Sequence, residues 1–295
     1  MAASGALPVV DLAPFFTKDG KGGIAGATEA VRQACQTHGF FRAVNHGVPV
    51  ELMARALDLS AAFFALPDEE KAKIQPAQGS RVPVPAGYGR QPAHSADKNE
   101  YLVVFDPKLG LNAYPAEPAG FRETVEECHA KLIELGLLIQ DILNECMDLP
   151  PGFLKDYNDD RGFDHMTAKR YFPATEEEND GVGVLTDGHW VPAEPACGSI
   201  IVNIGDVIQV LSNNKLKSVT HRVVRKPAHR HSFAFFFNLH GDKWVEPLPE
   251  FTAKIGEAPR YRGFLYREYQ QLRVRNKTLP PVRPEDVVNI THYAI

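Results

Sequence analysis

The chain has 295 residues, of which 44% are hydrophobic and 23% charged, so it is long enough to bury a large core and lacks the composition of a disordered protein. Its 32 Lys and Arg residues against 37 Asp and Glu residues give a net charge of -5. Because such a chain has no sequence-wide basic field to bind phosphate backbones, we predict no nucleic-acid partner.

The first half of the chain predicts short strands followed by amphipathic helices. The predicted elements are a strand at 7–12, a helix from about Ala27 that Gly39 ends, a strand at 40–45 and a helix from Pro49 to about Leu66. Four prolines and three glycines between 75 and 92 predict an irregular loop. A long apolar stripe then predicts a scaffold helix from Phe121 to Leu149.

After Asp160 the pattern changes to short β-rich runs separated by turn residues. These runs are 166–171, 189–191, 199–204, 219–224 and 232–238. Their order and length predict an antiparallel sandwich or barrel, followed by a helix at 261–271.

The four cysteines lie far apart and form no C-x-x-C pair, so they predict reduced thiols, with packing roles for Cys128 and Cys146. The N-terminus has no signal-peptide pattern, and no stretch is long and apolar enough to cross a membrane. We therefore predict a cytoplasmic protein without a membrane association.

A chemically informative pattern lies between Ser212 and Asn238. His221 sits in a β-branched run, and Arg230 and Ser232 begin an aromatic strand. Because residues two apart on a strand point to the same face, these two side chains would present a guanidinium and a hydroxyl together, with His231 turned away. Such a pair is suited to binding a carboxylate. Each residue alone also has an ordinary structural interpretation.

Together with several other segments, this pattern resembles the plant-type 2-oxoglutarate and iron(II)-dependent dioxygenases. The matching segments, in family order, are LPVVDL at 7–12, HGFFRAVNHGV at 38–48, FFALPDEEKAKI at 63–74, GYG at 87–89, NEYLVVF at 99–105, KRYFPA at 169–174, the run from Asp187 to Val224, and HRHSF at 229–233. The resemblance implies an α+β fold with a double-stranded β-helix, or jelly-roll, core and flanking helices.

The resemblance also implies a division of the chain and a set of functional residues. The division is an N-terminal dioxygenase-type region at 1–118, a scaffold helix and linker at 119–160, the jelly-roll domain at 161–260, and a C-terminal helix and tail at 261–295. His221 matches an iron ligand, Arg230 and Ser232 match the anchor for the far carboxylate of 2-oxoglutarate, and Tyr171 matches a tyrosine that helps to hold this cosubstrate. A core tyrosine is the alternative for Tyr171.

The implied cofactors are iron(II) and 2-oxoglutarate, and the implied partners are dioxygen and a small-molecule substrate. In the family, two His and one carboxylate hold the iron and leave positions open for 2-oxoglutarate and dioxygen. The implied reaction is an oxidation of a small plant-type metabolite by hydroxylation, demethylation or desaturation.

One expected motif is absent from its place in the chain. The family's His-x-Asp, which supplies the other two iron ligands, does not occur before His221, and the linking segment between Tyr171 and Asp187 is about 20 residues too short. Strands are about 5 to 6 residues long, so one or two jelly-roll strands would be missing with the ligands.

Four other groups are candidate substitutes for the missing iron ligands, but each is predicted to have an ordinary structural role. His240-Gly241-Asp242 reads as a solvated turn, Asp187 with His189 as part of a hairpin, His165 as a capping or solvated residue, and Glu176 to Glu178 as a solvated loop. Two hypotheses therefore remain open: an oxidoreductase of this family, or a non-catalytic relative or shortened gene product without a complete iron site.

Overall fold

The structure is a computed structural model, and it describes residues 6–17, 21–76, 84–92, 98–174, 183–186, 189–223, 225, 227–278, 281–283 and 286–295. The helices are α1 (Lys21–Thr37), α2 (Val50–Phe64), α3 (Asp68–Ala72), α4 (Phe121–Cys146), α5 (Phe153–Tyr157), α6 (Asp206–Leu211), α7 (Pro249–Ile255) and α8 (Tyr266–Thr278). The strands are β1 (Val9–Asp11), β2 (Phe40–Val44), β3 (Gly87–Arg90), β4 (Asn99–Phe105), β5 (His165–Tyr171), β6 (Gly183–Thr186), β7 (His189–Pro192), β8 (Ile200–Asn203), β9 (His221–Arg222), β10 (Arg230–Phe236), β11 (Trp244–Val245) and β12 (Phe264–Leu265).

The strands form several sheets around the helices. A four-stranded antiparallel sheet has the order β10-β5-β4-β3, and a three-stranded sheet has the order β7-β6-β9. β2 pairs in parallel with β1 and antiparallel with β8, while β11 pairs with β12. This arrangement of helices and largely antiparallel sheets agrees with the predicted α+β class.

Two sheets join parts of the chain that are far apart in sequence. β3 and β4, from the predicted 1–118 region, extend the same sheet as β5 and β10 from the predicted 161–260 region. β2 from the first region likewise pairs with β8 from the second. Backbone hydrogen bonds therefore connect the predicted 1–118 and 161–260 regions. The division at 118 and 160 remains a prediction.

The long helix α4 contributes to both main parts of the core. Its residues Leu135 and Ile142 pack in a cluster with β1, β2 and the C-terminal elements. Its residues Val125 and Cys128 pack in a second cluster between α2 and the four-stranded sheet. Burial of apolar surface stabilises the fold by roughly 25 cal/mol per Å². Because α4 packs in both clusters, it is the scaffold helix that its sequence predicts.

Several predicted boundaries differ from the structure. α1 begins at Lys21 instead of Ala27, because glycine lets the first turn approach Pro14: a Cβ at Gly23 would lie 3.2 Å from the Pro14 Cβ. β3 occupies part of the predicted irregular loop, and Gly89 leaves room there for the Tyr101 ring, which an added Cβ would meet at 2.6 Å.

The predicted positions of three elements and the predicted free cysteines are confirmed. β2, α2 and α4 lie where the sequence places them, although α4 ends at Cys146. All four cysteines are free, with Cys197 exposed and the other three buried. None of the described helices combines the length and the apolar composition needed to span a bilayer.

Candidate functional site

The four-stranded sheet has two chemically different faces. His231, Phe233 and Phe235 of β10 turn toward α2 and α4, where His231 stacks on Phe64 and Phe235 meets His129. The alternate residues of β10 turn the other way, and we call the surface that they form with β5 the anchor face. Its residues are Arg230, Ser232, Ala234 and Phe236 on β10 and His165, Thr167, Lys169 and Tyr171 on β5.

Arg230, Ser232 and Tyr171 come together on the anchor face. Arg230 is paired across the strands with Tyr171, and its guanidinium carbon lies 5.4 Å from the centroid of the Tyr171 ring. Ser232 follows two residues later on the same face. The antiparallel register therefore unites two residues near 230 with a residue about sixty positions earlier in the chain.

The Arg230 side chain has hydrogen-bonding capacity that the protein leaves unused. Its Nη1 atom is buried and has no hydrogen-bond partner in the described structure. A buried donor without a partner is costly, and a planar guanidinium binds a carboxylate with two parallel hydrogen bonds. The donor set of Arg230 and Ser232, with the Tyr171 ring beside it, thus fits the far carboxylate of 2-oxoglutarate.

His231 is excluded from this group, as its alternation with Arg230 predicts. Burial lowers the pKa of its imidazole, and the neighbouring Arg170 guanidinium lowers it further. His231 is therefore a half-buried imidazole stacked on Phe64, on the helix side of the sheet.

His221 lies on a different sheet from the anchor face. It is the first residue of β9, it is exposed, and it pairs with Val184 of β6. Its ring makes a T-shaped contact with Phe40 at 5.2 Å between centroids, and its Nδ1 lies 3.2 Å from the Val219 carbonyl oxygen. Its convergence with Tyr171, Arg230 and Ser232 stays a prediction.

The described residues do not fit a three-ligand iron site. Across them, no three His, Cys, Asp or Glu side chains lie close enough together to hold a metal ion. A facial iron site needs two imidazoles and a carboxylate in one place, whereas His221 has no such neighbours among the described side chains. The site therefore fits 2-oxoglutarate better than it fits the metal.

The substitute ligands weighed from the sequence do not fill this gap. Gly241 and Asp242 form the predicted turn, the Asp242 amide donates to the His240 Nδ1 at 3.0 Å, and the Asp242 carboxylate pairs with Arg267 at 2.8 Å. His165 is buried and stacks on Phe236, and burial lowers its pKa to about 4. Asp187 and residues 176–178 lie outside the described residues, as does the side chain of His189.

A buried ion cluster on the helix side of the sheet was missed by the sequence analysis. Glu100 of β4 is fully buried; its Oε2 accepts hydrogen bonds from the Tyr88 hydroxyl at 2.6 Å and from Lys71 and Arg90 at 3.1 Å each. Its Oε1 lies 2.5 Å from the Arg170 Nη2. The cluster joins α3, β3, β4 and β5, and so holds the strand of Tyr171 against its neighbours.

A second buried carboxylate, Asp164, precedes β5. Its Oδ1 accepts the Asn238 amide at 2.8 Å, and its Oδ2 lies 3.1 Å from the Arg161 Nη1. Burial raises the pKa of Asp164 to about 7 and outweighs the opposing effects of Arg161 and Asn238. The carboxyl group therefore titrates near neutral pH in the folded state.

The raised pKa of Asp164 predicts that Asp164→Asn increases the stability of the protein relative to the parent as the pH rises. An unfolded aspartate titrates near pH 3.9, so the stability that the neutral carboxyl contributes is present below about pH 4 and is lost as the pH rises to about 7. The free energy of unfolding of the variant, relative to the parent, should increase across this range by up to about 4 kcal/mol and then level off. Urea unfolding at several pH values checks this, and a pH-independent difference would contradict it.

Comparisons with known proteins show related sequences and related folds. Residues 7–127 match the model of the non-haem dioxygenase in morphine synthesis N-terminal, and residues 152–239 match the 2OG-Fe(II) oxygenase superfamily. The solved structure of JOX2 in complex with 2OG, Fe and JA superposes with a TM-score of 0.78 at 24% identity, over 98% of this chain and 89% of that one. Such structures of 2OG-Fe(II) oxygenases have a jelly-roll core, so the predicted fold class is confirmed.

Curated relatives point the same way. Flavanone 3-dioxygenase 2 from Oryza sativa subsp. japonica is 30% identical over 289 aligned residues, covering 89% of this chain and 82% of that protein. Since 89% of 295 residues is about 263, about 26 aligned positions have no residue in this chain, which agrees with a shortened segment. 1-Aminocyclopropane-1-carboxylate oxidase from Musa acuminata is 27% identical, covering 93% of this chain and 96% of that protein. This chain belongs to the 2OG-Fe(II) oxygenase superfamily, whose members use iron(II) and 2-oxoglutarate.

Proposed function

We propose that the chain is an oxidoreductase that binds 2-oxoglutarate on the anchor face and oxidises a small organic molecule with dioxygen. The observation that carries this proposal is the buried, unpartnered Nη1 of Arg230 beside Tyr171 and Ser232. A half-buried guanidinium with a buried, unused donor can bind an anion, and 2-oxoglutarate carries a carboxylate at each end.

The proposed roles follow from the position of each residue. Arg230 binds the far carboxylate in a bidentate manner, Ser232 adds a hydroxyl donor, and Tyr171 forms the wall of the pocket beside the guanidinium. His221 is the residue proposed to ligate iron(II), the metal that activates dioxygen in this family. The described residues do not complete the ligand set of an iron ion.

The relatives support a small-molecule substrate. Their names refer to a flavanone and to 1-aminocyclopropane-1-carboxylate, both small organic compounds. We accordingly propose a small plant-type metabolite as the substrate, with hydroxylation, demethylation or desaturation as the reaction. We also propose that the protein is located in the cytoplasm.

Iron content and succinate release test this function together. We would measure both for the chain as it stands and for a variant in which a relative's His-x-Asp segment is inserted between Val182 and Val184. We expect both proteins to bind 2-oxoglutarate, and we expect the insertion to raise iron stoichiometry and succinate release, since it supplies an imidazole and a carboxylate ligand.

The outcomes separate the proposal from its alternative. A non-catalytic relative would bind 2-oxoglutarate and release no succinate, even with one iron ion bound per chain. If the unaltered chain already holds one iron ion tightly and releases succinate, the oxidoreductase stands, but the iron site is complete. Asp187 and His189 would then be the first residues to mutate.

A further inference from the structure

β10 is the longest of the described strands that has a neighbour on only one side. It is the terminal strand in the order β10-β5-β4-β3, and all seven of its residues, Arg230–Phe236, pair with β5. No bulge interrupts this pairing, and the strand contains no proline. β10 therefore presents a long, regular edge on the side away from β5.

The hydrogen bonds of the neighbouring strands show which backbone groups of β10 form this edge. The Phe172 amide donates to the Lys98 carbonyl at 3.1 Å, and this pair continues the register of β5 with β4. Alternate residues of an antiparallel strand direct their N-H and C=O groups to opposite sides. Tyr171 and every second residue before it therefore bond to β10, where their partners are Arg230 and every second residue after it. The N-H and C=O groups that point away from β5 belong to His231, Phe233 and Phe235.

The two edges of the four-stranded sheet differ. Within the described part of the chain, the outward backbone groups of His231, Phe233 and Phe235 have no hydrogen-bond partner, and the three residues are partly exposed. At the opposite edge, the Tyr88 amide of β3 points outward and donates to the Ile74 carbonyl at 2.9 Å. The sheet thus has one covered edge and one open edge, and an open edge is a template for pairing with another strand.

We propose that the open edge of β10 pairs antiparallel with β10 of a second copy of this chain, so that the two four-stranded sheets become one continuous sheet. A two-fold axis at Phe233 places this residue opposite its own copy and places His231 opposite Phe235 of the partner subunit. Each of these pairs exchanges two backbone hydrogen bonds, and every outward group of both strands is then satisfied. The pairing uses the edge of the sheet and is independent of the proposed function.

The side chains of β10 are compatible with this register. Arg230 is the only Lys, Arg, Asp or Glu residue of the strand, and it lies opposite Phe236 of the partner subunit, so no like charges face each other. A shift by one residue would oppose outward groups of one strand with inward groups of the other. A shift by two residues would leave the outward groups of one residue in each strand unpaired. The central register is therefore the one that the edge favours.

Hydrogen exchange of individual amides, measured by NMR at low and high protein concentration, tests this inference on the unaltered chain. Sedimentation equilibrium over the same concentrations gives the oligomeric state. We expect a monomer-dimer equilibrium in which the amides of His231, Phe233 and Phe235 exchange at least about 10-fold more slowly in the dimer. The amides of Ser232 and Ala234, which point toward β5, should be protected at both concentrations. A chain that stays monomeric, a dimer whose three outward amides remain unprotected, or open-ended association would overturn the inference.

A matched pair of variants separates the backbone from the side chain. His231→Pro and His231→Ala both remove the imidazole, but only the proline also removes the outward N-H group. Proline is tolerated where the N-H side of an edge strand faces solvent, so the pairing with β5 should persist. We expect His231→Pro to weaken the dimer about 10- to 100-fold, because each copy loses one hydrogen bond and leaves a carbonyl of its partner unpaired. His231→Ala should dimerise within about 3-fold of the parent. Equal dimer affinities for the two variants would refute pairing through this edge, and the exchange measurement decides the question if His231→Pro does not fold.

Discussion

Arg230→Ala is expected to weaken 2-oxoglutarate binding by at least about 30-fold. The substitution removes a bidentate, charge-assisted contact whose Nη1 donor is buried, and losing one partner of such a pair costs about 2–5 kcal/mol. Each 1.4 kcal/mol is about a tenfold change in affinity. The unpartnered Nη1 of Arg230 is the atom whose loss should matter most. Calorimetry with 2-oxoglutarate measures the effect.

Two other residues serve as controls for this prediction. His231→Ala changes a residue on the opposite face of the same strand and should alter the affinity of the folded protein by less than about 3-fold. Arg222→Ala removes an exposed guanidinium that lies 4.1 Å from the Trp190 ring centroid, and it should also have little effect. Equal losses for Arg230→Ala and His231→Ala would show that the anchor is misassigned.

Glu100→Gln is expected to destabilise the protein by about 3–5 kcal/mol. The glutamine would keep the shape of the side chain but remove its charge, which leaves the buried Lys71 and the largely buried Arg170 without their shared counter-ion. Removing one member of a buried ion pair costs about this much, because the remaining charge stays out of water. Urea unfolding at pH 7 gives the free energy of unfolding.

The pH dependence of this loss has a definite sign. Burial alone would raise the pKa of Glu100, but Tyr88, Lys71, Arg170 and Arg90 together lower it. A lowered pKa in the folded state gives stability that is present above the unfolded value of about 4.3 and is lost as the pH falls. The deficit of Glu100→Gln should therefore shrink in acid.

An exposed ion pair provides the control for Glu100. Glu126 pairs with Arg122 at 2.9 Å on the surface of α4, and such pairs contribute about 0.5 kcal/mol or less. Glu126→Gln should consequently have a small effect. A cost for Glu100→Gln as small as this would contradict the view that the cluster holds the four-stranded sheet together.

Local patterns in the sequence predicted much of the fold. Gly39, with φ of +66°, follows α1 where the prediction ends that helix, and the apolar stripe of α4 gave its position and its role. Predictions from local sequence were wrong where contacts with residues distant in the sequence determine where an element forms. β3 forms because Gly89 accommodates Tyr101 from another strand, and α1 starts early because Gly23 packs on Pro14.

The same distinction applies to the site. Period-two alternation in the sequence is enough to place Arg230 and Ser232 on one face of the strand and His231 on the other. The Glu100 cluster had no such signal, since its members are brought together by α3 and three strands. The two further iron ligands expected beside His221 are absent from the family's place in the sequence, and the described residues form no three-ligand group.

The most direct test of the account is a crystal structure of the full chain with 2-oxoglutarate. The account predicts that one carboxylate of the ligand lies within hydrogen-bonding distance of the Arg230 Nη1 and the Ser232 hydroxyl, with Tyr171 beside it. A ligand bound elsewhere, with the Arg230 guanidinium making no contact to it, would contradict the assignment of this face as the cosubstrate site.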